Sequence, residues 1–169
     1  MSDGYDILDT LTSAVRDRLL KGASFDQPPA VEVYTERLSD LRNKINIQIQ
    51  SKLGLAVVVH TPEVTVGDTG DVLVAKVSVQ IYESITANQA SAGTRITAQV
   101  ASLRSYVALM GWMPPGGWSP MQPIVGTPVI RLISGATIED PFLTYEVAMQ
   151  TVAVLTFELI IPTPLSGTP

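Results

Sequence analysis

The sequence predicts an α+β fold, with an antiparallel (mixed-edge) sheet of about four or more strands and helices packed on one face. The first indication is a period of two between residues 72 and 82, typical of a strand with one apolar face. The second is a stripe of apolar residues at steps of three and four between residues 96 and 110, typical of an amphipathic helix. A strand followed by a helix that returns over its apolar face forms a two-layer unit.

This central strand and helix are the most regular part of the chain. The apolar set of the strand is Leu73, Ala75, Val77, Val79 and Ile81. The apolar stripe of the helix, which we expect to face the sheet, is Ile96, Val100, Leu103, Val107 and Met110. Thr94 suits the N-cap of this helix, and Gly111 suits a left-handed C-cap.

Two helices are predicted before the central strand. Residues Tyr5 to Lys21 keep a helical spacing, and the sequence GASFDQPP then breaks the chain. A second helical stripe runs from Val31 to Leu53, with Pro28 and Pro29 at its start and Gly54 as its C-cap. A local alternation at residues 45–49 would suit a strand, but the longer pattern favours the helix.

The remaining segments predict strands. Leu55 to Val66 is apolar and β-branched, and Pro62 implies an edge, a bulge or an end. The GDTG turn at residues 67–70 should join it to the central strand as an antiparallel hairpin. Two late strands, residues 126–134 and 144–161, flank an acidic turn at residues 139–141. We expect one domain over residues 1–161 and a flexible or partner-bound tail over residues 162–169.

Composition limits the classes of function. The chain has 169 residues and a net charge of −5, with no run of Lys and Arg, which argues against a general nucleic-acid binder. It has no cysteines, so neither disulfides nor cysteine-bound metal can hold the fold. The start lacks the pattern of a signal peptide, and no apolar run is long enough to cross a bilayer, so we expect a cytoplasmic protein. The positive mean hydropathy suggests that other subunits cover some apolar surface.

The sequence offers little for catalysis. His60 is the single histidine and lies in a valine-rich strand, where a strand-end role is expected. Glu63 and Glu83 could face each other across neighbouring strands as a carboxylate pair, although a solvated pair is the simpler expectation. The glycines fit no phosphate-binding pattern. We therefore predict no enzyme activity, no catalytic or metal-binding residue and no cofactor.

The expected function lies in interaction surfaces. The loop GWMPPGGWSPMQP at residues 111–123 either packs its tryptophans on the domain or presents them to a partner. The hairpin turn, the connection at residues 85–92 and the tail are further candidates. The predicted interaction residues are Asp68, Asp71, Asn88, Gln89, Trp112, Met113, Trp118, Met121, Pro162 and Pro164.

Residues 79–112 combine a strand that ends near a glutamate, an asparagine a few residues on, and a Gly-Thr before a helix that closes in Leu-x-Gly-Trp. The positions are Glu83, Asn88, Gly93, Thr94, Leu109, Gly111 and Trp112. This pattern resembles bacteriophage neck proteins of the tail-terminator or tail-completion family. The flanks agree in outline, with a helix before the strand GLAVVV and a late Tyr-x-Val at Tyr145 and Val147.

The resemblance implies a structural virion protein of the tail or neck, assembled in the bacterial host cytoplasm. Such subunits form a homohexameric ring that caps the tail tube protein and meets the head–tail connector proteins. DNA would pass through the lumen without sequence-specific binding, and no membrane would be involved. A head–tail joining or tail-tube-related structural subunit remains an alternative, and so does a bacterial binding or adaptor module.

Overall fold

The structure, a computed structural model, describes residues 4–28, 30–50, 54–85, 96–134 and 142–154. Within these ranges it contains three helices and seven strands. The helices are α1 (Gly4–Gly22), α2 (Leu41–Gln50) and α3 (Ala98–Leu109). The strands are β1 (Val33–Thr35), β2 (Leu55–Val59), β3 (Glu63–Val66), β4 (Val72–Ser84), β5 (Gln122–Pro123), β6 (Ile130–Ser134) and β7 (Phe142–Val154).

All seven strands belong to one mixed sheet built on the pair β4 and β7. These two long strands run antiparallel, with Val72 opposite Val154 and Ser84 opposite Phe142. β2 and β3 pair in succession with the edge of β4 that faces away from β7. β5 and β6 pair with the edge of β7 that faces away from β4. β1 adds to β2 in the parallel direction. The predicted α+β class and the mostly antiparallel sheet are confirmed.

The predicted alternation in the central strand is confirmed and builds the main core. Ala75, Val77, Val79 and Ile81 are all buried on one face, together with residues of β2 and β7. α1 and α3 cover this face, and Leu11, Val15 and Leu19 of α1 reach into it. α2 contacts β2 and β4 beside Tyr82, whose side chain alternates with Ile81 and so lies on the opposite face.

The strand predicted from Leu55 to Val66 is divided at Pro62. The N–H of His60 still donates to the Ser78 carbonyl, but the next registered pair is Glu63 with Lys76. From His60 to Glu63 the chain advances three residues while β4 advances two, from Ser78 to Lys76, so the strand contains a bulge here. Pro62 sits where no ladder N–H is needed. The hairpin turn that follows is also confirmed, with Gly70 in a left-handed conformation at φ +77°.

The second predicted helix is wrong over its first half. Residues 33–35 form a strand that pairs with residues 57–59, and the helix begins only at Leu41, after Asp40 at φ +64°. Val31 and Val33 are buried and Glu32 between them is exposed, so the local period of two describes this stretch better than the helical stripe. Pro28 lies in a bend rather than a first helical turn, and Pro29 is outside the described residues.

Smaller differences concern element ends. Thr97, rather than Thr94, caps α3, and its Oγ1 accepts the Val100 N–H at 3.2 Å. Gly111 has the predicted left-handed conformation at φ +72°. The strand expected from residue 126 begins at Ile130. Thr94, the turn at residues 139–141, the end of the last strand beyond Val154 and the tail lie outside the described residues.

Candidate interaction surfaces

Helix α3 packs on the sheet through small side chains. Its buried positions are Ala98, Ala101, Ser102, Ser105, Ala108 and Leu109. The two buried serines donate to carbonyls one turn earlier, Ser102 to Ala98 at 2.7 Å and Ser105 to Ala101 at 2.8 Å, so their hydroxyls are satisfied within the helix. The small face permits a close approach to α1, where a methyl group added at Gly22 would lie 3.2 Å from the Ala108 Cβ.

The opposite face of α3 is apolar and exposed. We call its four large residues the outer stripe: Val100, Leu103, Val107 and Met110, which are 42% to 68% exposed. The sequence pattern found the stripe but predicted that it faces the sheet, and this prediction is wrong except for the buried Ile96. A helix that buries alanine and serine while exposing valine, leucine and methionine reverses the usual amphipathic arrangement.

Both ends of α3 are fixed, so the direction of the outer stripe is fixed as well. At the N-terminus, the buried carboxylate of Glu83 accepts the Ala98 N–H at 2.8 Å. At the C-terminus, Arg18 Nε donates to the Ala108 carbonyl at 2.8 Å, and its guanidinium lies 5.8 Å from the centre of the Trp112 ring. A carboxylate at the first turn and a cation at the last both complement the helix dipole.

The loop after α3 packs mainly on the domain. Trp118 and Met121 are buried, and Trp118 bridges to Ala153. The Ser119 N–H donates to the Val152 carbonyl at 2.6 Å, so the loop runs along the edge of β7 before β5. For Trp118 and Met121, this burial favours packing over presentation to a partner. Trp112 is partly buried against the core.

The other predicted interaction residues are either exposed or outside the described residues. Met113, in the loop directly after α3, is 61% exposed. Asp68 and Asp71 are exposed at the tip of the β3–β4 hairpin, where Thr69 hydrogen-bonds to the Asp71 carboxylate. Val66, which sequence analysis did not single out, is 62% exposed at the same hairpin. Asn88, Gln89, Pro162 and Pro164 lie outside the described residues.

The face of the sheet opposite α1 and α3 carries a polar groove of about 490 Å³ between the bulge at Pro62 and the segment before β6. Within it, Glu146 Oε1 accepts from Ser78 Oγ at 2.6 Å, and Oε2 accepts from Arg131 Nε at 2.5 Å. Partial burial raises the pKa of Glu146, but these hydrogen bonds and the charges of Arg131 and His60 outweigh it and lower the pKa overall.

His60 lies at the end of β2, as expected, with Nδ1 3.6 Å from Glu36 Oε1. Glu36 also accepts the Thr61 N–H at 2.7 Å, and this backbone hydrogen bond is the main reason that its pKa is lowered. His60 Nε2 is buried and finds no hydrogen-bond partner among the described residues. Glu63 and Glu83 form neither a facing carboxylate pair nor the solvated pair that the sequence favoured, because Glu63 lies opposite Lys76 and the buried Glu83 lies opposite Leu55, on well-separated parts of β4.

Two contacts of the polar residues were not predicted from the sequence: Glu36 beside His60, and Glu146 with Arg131 and Ser78. The alternation of β7 could have placed Glu146 on the polar face, but the register that brings Arg131 and Ser78 beside it comes from pairing between distant segments. In the part of the chain that the structure describes, no group of three or more metal-ligating side chains is assembled.

Over the described ranges, no helix is long and apolar enough to cross a membrane. Compared with protein-family models and with curated proteins, the chain matches none.

Proposed function

We propose that the chain is a structural virion subunit of a tailed bacteriophage, similar to a tail terminator. In this role it forms a ring at the head–tail neck, caps the tail tube protein and joins it to the head connector proteins. The neck assignment is supported by the sequence resemblance over residues 79–112. The observation that carries self-assembly is the outer stripe of α3.

The outer stripe supports assembly because it is apolar and contiguous, and because hydrogen bonds to Glu83 and Arg18 hold both ends of its helix. Its four residues recur at steps of three and four, so they form one continuous surface along about 15 Å of helix. Met113 continues the exposed apolar chain beyond Gly111. Contiguous apolar patches of this kind on a folded domain mark contacts with other proteins. In a ring, each copy would cover the stripe of its neighbour.

The residues that carry the resemblance have structural roles that suit such a subunit. Glu83 ties the end of β4 to the first turn of α3, and Gly111 turns the chain sharply at the other end. These contacts orient α3 on the sheet and so determine the direction of the outer stripe. We infer that the pattern preserves the shape of an assembling subunit rather than a reaction centre.

The charge of the chain is consistent with this role. A net charge of −5 would let DNA pass through the lumen of a ring without specific binding. The polar groove at His60 and Glu146 is the feature that favours the second candidate, a binding or adaptor module, because it places cations and carboxylates around one cavity.

The decisive measurement is the mass of the purified protein by light scattering over a concentration series, followed by negative-stain images. A closed ring near six subunits is the expected result. Open tubes would favour the tail-tube-related alternative, because a terminator stops at one ring. A monomer at every concentration would contradict self-assembly and favour the binding module.

A further inference from the structure

We propose that the outer stripe of α3 receives the β3–β4 hairpin of a second copy of this chain, in a head-to-tail contact. This inference rests on the proposed function and specifies which two surfaces meet in the ring. The inference is based on charge: the outer stripe lies beside a positive side chain, and the exposed apolar end of the hairpin lies beside negative ones.

The surface of α3 carries positive charge alone. Between Ala98 and Leu109 the sequence contains no Asp or Glu, and Arg104 is exposed beside the outer stripe. Arg104 forms no ion pair within the described part of the chain. A surface that covers the stripe must therefore be apolar, and acidic groups on it would gain from Arg104.

The hairpin has both properties. Between the pair Val64–Ala75 and the tip, the hairpin contains Asp68 and Asp71 and no Lys or Arg; the next pair, at its base, sets Glu63 opposite Lys76. Val66 is opposite Leu73 and two residues from Val64, which packs against the core, so it lies on the helix-bearing face of the sheet, beyond the helices. Its side chain is therefore an exposed continuation of the core face.

The dimensions agree. Two paired strands about 4.8 Å apart form a ribbon roughly 10 Å wide. The outer stripe from Val100 to Met110 is about 15 Å long at 1.5 Å per residue, so the ribbon fits on it. The free edge of β3 leaves the hairpin accessible, since β3 pairs with β4 alone among the described strands.

Packing of one α3 on the α3 of a second copy is disfavoured by the same charges. The middle of the stripe lies between Leu103 and Val107, beside Arg104, so a two-fold axis there brings Arg104 close to its own copy. Because α3 has no carboxylate, nothing on the helix would offset the repulsion. Two different surfaces in contact instead produce a head-to-tail arrangement, which closes into a ring or extends as a filament.

Disulfide trapping tests the contact directly, because the natural chain has no cysteine. We would mix Val66→Cys protein with Val107→Cys protein carrying a mass tag, and oxidise the mixture under the conditions used for the mass measurement. The expected product is a mixed disulfide between the two variants, with neither variant linking to itself. Self-linking of Val107→Cys would overturn the inference in favour of helix-on-helix packing, and the absence of any link would also overturn it.

A charge exchange provides an independent test. Arg104→Glu alone, and Asp68→Lys with Asp71→Lys, should each raise the concentration for half-assembly roughly tenfold, and combining all three should restore it to within about threefold. Arg42→Glu and Asp17→Lys change exposed charges on α2 and α1 and should have no effect.

The outcomes separate the two proposals. A ring that is insensitive to both exchanges would overturn the hairpin contact and leave the proposed function standing. A mixed disulfide found in open filaments would support the hairpin contact and contradict a closed terminator ring.

Discussion

Helices α1 and α3 lie on the same face of the same sheet but use their side chains in opposite ways. α1 buries its large apolar residues, Leu11, Val15 and Leu19 among them. α3 buries alanine and serine and exposes the outer stripe. Apolar periodicity therefore identifies residues that share a helix face. The size of the side chains on the two faces decides which face can approach the sheet closely.

The largest expected difference comes from the same substitution in both helices. Leu19→Ala in α1 removes a fully buried side chain and should lower the free energy of unfolding by about 2–5 kcal/mol. Leu103→Ala in α3 removes a half-exposed side chain and should change it by about 0.5 kcal/mol. Urea denaturation at a concentration where the protein is monomeric measures both. Equal losses would show that the two helices do not differ.

This contrast also explains what could be predicted from the sequence. The strand β4, the hairpin, the helix at residues 98–109 and its Gly111 cap follow from local patterns, because periodicity and turn residues act over a few positions. The direction of α3 could not be predicted, since Ala101 and Ser105 become buried when α3 packs on α1 and on the sheet, whose strand β7 and helix α1 are both far away in sequence. The polar cluster at Glu146 depends on the strand register in the same way.

Enlarging the small face of α3 should be the next largest effect. Ala101 is fully buried in the core, so Ala101→Leu should overpack it and lower the free energy of unfolding by about 1–3 kcal/mol. Arg104→Leu adds a leucine to the exposed side of the same helix and serves as the control. Thermal unfolding of both variants gives the comparison, and a neutral Ala101→Leu would mean that the helix can shift outward without cost.

Removing the tie between β4 and α3 should cost less. Glu83→Ala deletes the carboxylate that accepts the Ala98 N–H and should lower the free energy of unfolding by about 0.5–2 kcal/mol. Glu83→Gln keeps an acceptor oxygen and should recover most of the loss. Amide hydrogen exchange at Ala98 reports the local effect. Unchanged protection in Glu83→Ala would show that Thr97 alone holds this end of the helix.

Acid should weaken the polar face of the sheet. The pKa values of Glu36 and Glu146 are lowered from the ordinary value of 4.5, so both carboxylates stabilise the fold above that pH. This contribution is lost as the pH falls through their lowered pKa values. Glu146→Gln should therefore reduce the dependence of unfolding on pH below about 4.5, measured by urea denaturation at several pH values. A slope equal to that of the natural chain would exclude Glu146 as a contributor.

The smallest expected effect on folding is the most informative about assembly. Val107 is 68% exposed, so Val107→Thr, which replaces one methyl group by a hydroxyl, should change the free energy of unfolding of the monomer by at most about 0.5 kcal/mol. The same change should raise the concentration needed for association, because the hydroxyl must lose water when a second copy covers the stripe. Val125→Thr, at a residue 91% exposed in the segment before β6, is the matched control and should alter neither quantity. A large loss of monomer stability in Val107→Thr would mean that the outer stripe is covered within one chain. In that case α1 and α3 would follow the same rule, and the stripe would belong to the core rather than to an interface.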